Sequence, residues 1–257
     1  MKIQPFVTWP GRTTDRTGDR RFYLGISAAM GCTVLAGFWL TYFGPVFRGS
    51  YPEVSPLVHV HGWSFFAWYV LLPVQAGMIR SGKVALHRTL GLASVALAVL
   101  MIVVGLIVSL VLIDTARAPE PDPFAELMGL PIFATWVVFT AFYVEAIRRR
   151  RRVGHHKRLI LLASAAPLGS AIVRILAPIL GSGAGVSVGG SLAATLFPVF
   201  GVMHDRRNGG RLHPVYMWGI PAMVLIIGGA YLVGDTAGGE VMARGLAWVG
   251  RALRPLY

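Results

Sequence analysis

Five of the seven histidines, His87, His155, His156, His204 and His213, occupy one kind of place: the border between a long apolar stretch and an arginine-rich turn. Neutral imidazole ligates haem iron, zinc and copper. Two imidazoles on facing helices can hold a b-type haem axially. Three, with Asp205, can hold zinc and leave a position open for water. His87, His156, His204 and His213 are the expected ligands of haem b or a transition-metal ion. Arg88 and Arg158 are expected to neutralise an anionic group such as a propionate. The competing expectation is that these histidines sit in wet interface beside arginines. No HExxH or CxxC signature is present to choose between the two.

A second group lies in other places. His61, Trp68 and Gln75 are spaced by seven, which on a helix drifts only about 20° per step and leaves them on one side. Such a stripe can line a pocket for a flat ring, haem or quinone, or simply pack with one hydrogen-bonded amide. His59 is about 200° round from His61 and should not share its site. Arg174 is the one basic residue well inside an apolar stretch, and an unpaired guanidinium there is costly. A partner is expected for it, Glu126, a propionate or backbone carbonyls, with a structural ion pair as the leading reading. Counting 3.6 residues per turn puts Arg174 on the same face of its helix as His156, about 27 Å away.

The elements that must position these groups are membrane-crossing helices. Of the 257 residues, 55% are hydrophobic and 14% charged. A soluble domain would carry roughly 25% charged residues. Seven stretches are long and apolar enough to span a bilayer: about 22–44, 56–80, 87–113, 124–147, 156–181, 186–204 and 213–233. The fold expected is an all-α seven-helix bundle spanning 22–233, with a tail at 1–21 and an amphipathic segment at 234–257 lying on the interface. The sixth stretch carries Gly189, Gly190, Ser191 and Thr195, small residues that let helices approach closely in lipid.

The net charge of +13 is explained by topology. Lysine and arginine crowd the N-terminal tail and the turns after the second, fourth and sixth stretches, including the run Arg148–Arg152. The alternate loops hold only Arg48 and Arg117. This distribution places the N-terminus in the cytoplasm and the C-terminus outside, in a bacterial inner membrane. No nucleic-acid partner is needed to account for the basic excess. His61 and His87 then stand near opposite membrane faces and cannot ligate one ion.

Some functions are excluded. Lysine occurs only at 2, 83 and 157, so the seventh stretch offers no Schiff-base site for retinal. No glycine loop followed by Lys-Ser/Thr is present to cradle nucleotide phosphates. The single cysteine, Cys32, permits no disulfide framework. Three functions remain. The leading one is a histidine-lined site on the cytoplasmic side that serves electron transfer or membrane redox chemistry with a redox or membrane-complex partner. The second is passive permeation past Arg174, Gln75 and the sixth helix. The third is an assembly or accessory subunit.

The order His61, Gln75, His87-Arg88-x-Leu90-Gly91, His156-x-Arg158 and Arg174 resembles a family of uncharacterised prokaryotic multi-pass membrane proteins. The likeness covers residues 59–174. Where that family has an aromatic residue soon after the glycine, this chain has Leu92-Ala93-Ser94. The resemblance implies a multi-pass fold and carries no activity. His61-Gly62 with Trp68 and Pro73, and His87 to Gly91, are more faintly similar to transmembrane di-haem b cytochromes. That likeness implies axial histidines starting helices at one membrane face. Here His87 would have to pair with another basic-side histidine, such as His156 or His213.

Overall fold

The computed structural model describes residues 16–120, 122–209, 211–234 and 236–257; most of the expected N-terminal tail, residues 1–15, lies outside them. The chain is all α: seven helices long and apolar enough to cross a membrane, and a C-terminal helix. The first span runs from α1 (Arg16–Phe38) through a π-helical turn at Trp39–Phe43 into α2 (Gly44–Phe47). Pro45 cannot donate to the carbonyl four residues back, and the wider π turn absorbs that defect. The next three spans are α3 (Pro56–Arg80), α4 (Val84–Thr115) and α5 (Pro123–Arg148). Ser55 and Asp122 cap the starts of α3 and α5, their side chains accepting from the N–H groups of Leu57 and Phe124.

The fifth and sixth spans are each broken in the middle. Pro167 separates α6 (Val153–Ala165) from α7 (Leu168–Leu180). A second break at Ala194-Thr195 separates α8 (Ala184–Ala193) from α9 (Leu196–Arg207), where Pro198 leaves the Ala194 carbonyl without its helical donor. The break at Pro167 invalidates the register that put His156 and Arg174 on one face, because that count assumes an uninterrupted helix. The seventh span is α10 (Pro214–Val233), followed by α11 (Ala237–Leu253).

The spans pack in sequence, α1 on α3, α3 on α4, α4 on α5 and α5 on α6; α7 closes the ring against α1. The seventh span lies against α5 and α6, and the sixth against the fifth. The fifth span is therefore the axis of the bundle. Trp68 and Tyr69, 2% and 1% exposed, reach it together from α3. Trp68 Nε1 donates to Ser164 Oγ at 3.1 Å and the Tyr69 hydroxyl to the Ser164 carbonyl at 2.6 Å. Phe139 and Tyr143 of α5 pack on the other edge of Trp68. Close approach of α1 to α7 requires Gly37, since any Cβ there would meet the Ala171 backbone. In α8, Gly190 packs closely on Val173, whereas Gly189 beside it faces open space.

The C-terminal helix docks rather than lying free. Ala243, Ala247 and Gly250 face α4, with Gly250 against the Leu110 carbonyl, while Val241 and Trp248 stay exposed. Asp114, expected in a connecting loop, is inside α4 and buried. It accepts from Arg251 Nε at 3.3 Å and Arg254 Nε at 2.5 Å.

Candidate functional site

The histidines of the arginine-rich end do not meet at one point. Among the described residues no group of three or more His, Cys, Asp or Glu side chains converges on a metal-sized space. Instead the end divides into an ion-pair knot and two histidine pairs.

The knot takes two of the expected groups. Arg158 forms a two-pronged pair with Asp205, Nε to Oδ2 and Nη2 to Oδ1 both at 2.8 Å, and its third prong donates to the Gly154 carbonyl. Arg158 therefore has an internal anion already, and Asp205 is not free as a zinc ligand. Next to it on the same helix, Lys157 grips Asp19 of α1 at 2.7 and 2.5 Å. His204 lies flat on Phe22, ring centroids 4.0 Å apart, with its Nε2 3.5 Å from the same Asp19. Tyr23 and Tyr216 complete the cluster, hydroxyl to hydroxyl at 3.3 Å, under the Lys157 and Arg158 cations. These contacts tie α1, α6, α9 and α10 together.

His213 is the N-cap of α10. Its Nδ1 accepts from the Val215 N–H at 3.2 Å, and its ring meets His155 edge to face at 4.7 Å. Burial, reinforced by the nearby Arg158 charge, pushes the His213 imidazole down to about 4. It is a neutral capping group at neutral pH.

The remaining pair is His87 and His156, from the third and fifth spans. They lie within electrostatic range of one another. His156 Nδ1 is 2.9 Å from the Ala146 carbonyl, so it carries the hydrogen and Nε2 keeps its lone pair. Gln75 holds His87 across the tight α3–α4 turn. With its oxygen facing the Gly91 N–H (3.1 Å), its amide nitrogen reaches the His87 carbonyl (3.2 Å) and Nδ1 of the same ring. Arg88 is exposed beside them.

The other end of the bundle holds His61 and Arg174, again within electrostatic range of one another. His61 packs against Phe65 and edge-on to Trp136, centroids 5.6 Å apart, and its buried Nδ1 has no hydrogen-bond partner among the described residues. Of the partners expected for Arg174, a backbone carbonyl is the one found: its Nη1 donates to the Ser170 carbonyl at 2.9 Å, its guanidinium rests 4.4 Å above the Phe38 ring, and no carboxylate among the described residues lies within reach of it. Glu126 serves the first turn of α5 instead.

The stripe on α3 thus has two fates. Trp68 and Gln75 are packed and hydrogen-bonded, and His61 is packed with one nitrogen idle. His59 is on its own, accepting or donating at 2.8 Å with Tyr42. Gln75 and Arg174, both expected along a permeation path, stand at opposite ends of the bundle. Sequence reasoning missed Ser164, Asp19 and Trp136. Only Asp19, an acid just ahead of an apolar run, left a signal that could have been read.

The chain matches no protein-family model, and no curated protein and no solved structure matches it significantly. The resemblance drawn from the histidine and arginine pattern therefore assigns no family.

Proposed function

We propose that this polytopic protein is a redox protein of a bacterial inner membrane that holds one haem b or transition-metal ion at its arginine-rich end through His87 and His156. One observation carries the reading: imidazoles from two separate spans lie within electrostatic range of each other, each with Nδ1 held by the protein. Ligating histidines are typically fixed in this way through the ring nitrogen that does not bind the metal. His156 is already in the right tautomer. Ligation by His87 through Nε2 requires its Nδ1–H to donate to the Gln75 oxygen, a half-turn of that carboxamide. Arg88 is the cation left to meet a propionate. His204 and His213, stacked and capping respectively, drop out of the ligand set.

The test is a reduced-minus-oxidised absorbance spectrum and metal analysis of the purified full-length protein. A cofactor signal lost in both His87→Ala and His156→Ala, and kept in His204→Ala, supports the reading. Colourless, metal-free protein from iron- and copper-replete cells counts against it.

A further inference from the structure

The opposite half of the bundle carries a feature that the redox reading does not use. Arg174 stands about 9 Å inside the Leu180 end of α7, and His61 about 8 Å inside the Pro56 end of α3, at 1.5 Å per residue. They are at one depth. A helical side chain leans toward its own helix N-terminus, and for α7 that direction is the bundle interior. Arg174 follows it: the guanidinium turns back to Ser170, one turn deeper, and does not snorkel to the nearer surface. Among the described residues a carbonyl and an aromatic face leave most of its five donors without an acceptor and its charge without a counter-ion. His61 Nδ1 is a buried polar atom with no hydrogen-bond partner among the described residues. Phe38, Phe65 and Trp136 make the surroundings apolar, and the Tyr51 phenol is close enough to Arg174 to be felt electrostatically.

We propose that Arg174 and His61 form a binding site for the oxyanion of an amphiphilic ligand, a carboxylate or a phosphate whose apolar part rests among these aromatic rings. The oxyanion supplies the missing counter-ion and takes the idle Arg174 donors. The apolar wall selects a ligand that enters from the membrane over a free ion in water. The site is independent of His87 and His156.

Delipidated full-length protein in maltoside micelles is titrated with oleate, with phosphatidylglycerol and with inorganic phosphate while thermal unfolding is followed. One of the two amphiphiles is expected to raise Tm saturably, which distinguishes a carboxylate from a phosphate, and inorganic phosphate at equal concentration is expected not to. Arg174→Gln is expected to weaken the apparent affinity about tenfold or more, the cost of one lost charge-assisted hydrogen bond. Arg174→Lys, which keeps the charge, is expected to retain part of the response. Without ligand, Arg174→Gln is expected to melt no lower than wild type, because it removes an uncompensated cation. The proposal is overturned if neither amphiphile shifts wild-type Tm, if the shift persists undiminished in Arg174→Gln, or if inorganic phosphate alone reproduces it. A ligand-free Arg174→Gln protein that melts far below wild type would make Arg174 a structural group and would equally overturn it.

Discussion

The two ends of the bundle treat charge in opposite ways. At the arginine-rich end, Arg158 and Lys157 each have a carboxylate from another span, and the aromatic rings lie beneath the cations. At the far end of the same fifth span, Arg174 has a carbonyl and a ring and no acid among the described residues. The difference separates cations that hold helices together from one whose partner is not supplied by the described residues. Around the middle of the bundle there is no charge to place among the described residues. Small residues and the Trp68–Tyr69–Ser164 contact hold the spans instead.

That contrast breaks most visibly at Arg158. Its side chain and that of Asp205 are 12% and 7% exposed. Removing one partner of such a pair strands the other. Arg158→Ala should therefore cost about 3 kcal/mol, read as lowered resistance to denaturant in micelles, with the double variant Arg158→Leu/Asp205→Leu recovering much of it. The middle is expected to respond less. Ser164→Ala leaves the buried Trp68 N–H without an acceptor and should cost about 1–2 kcal/mol, measured in the same way.

A smaller effect is expected at the C-terminal helix. Asp114 is 3% exposed but its partners Arg251 and Arg254 are 69% and 50% exposed, so solvent screens the pair. Asp114→Asn should lower global stability by less than about 1 kcal/mol. It should still loosen α11, seen as faster amide exchange in residues 237–253 with the spans unchanged.

The smallest effect is a pH dependence. The folded His213 imidazole sits at about 4, below its unfolded value of about 6.5. The unfolded chain therefore binds the proton first. The contribution of this group is complete above the unfolded value and is lost as pH falls from about 6.5 toward about 4. Protonating Nδ1 also removes the acceptor that caps α10. His213→Asn keeps a capping oxygen and has no proton to gain, so its Tm should fall less than that of wild type between neutral and mildly acid pH.

How much of this was written in the sequence follows from what a linear pattern encodes. Run length and hydropathy give spans, so all seven were legible, and α3 was legible to its ends. The first helix begins earlier than hydropathy suggests, because Asp19, Arg20 and Arg21 are helical although polar. The break at Pro167 was legible as a proline but not as a change of register. The pairing of partners was not legible, because seven periodic helices do not state which faces turn toward which neighbour. His87 and Gln75 flank one tight turn and were recognisable as neighbours. His204 against Phe22, and Asp114 against Arg251, join residues more than a hundred positions apart, and nothing in their local spacing announces them.

The account's central claim is that two of the basic-end histidines, and not the other three, serve a cofactor. The most direct measurement is the visible spectrum and metal content of full-length protein purified in parallel as wild type, His87→Ala and His213→Ala. The account predicts a cofactor in wild type and His213→Ala and none in His87→Ala. A signal that survives His87→Ala, or none in any of the three, would contradict it.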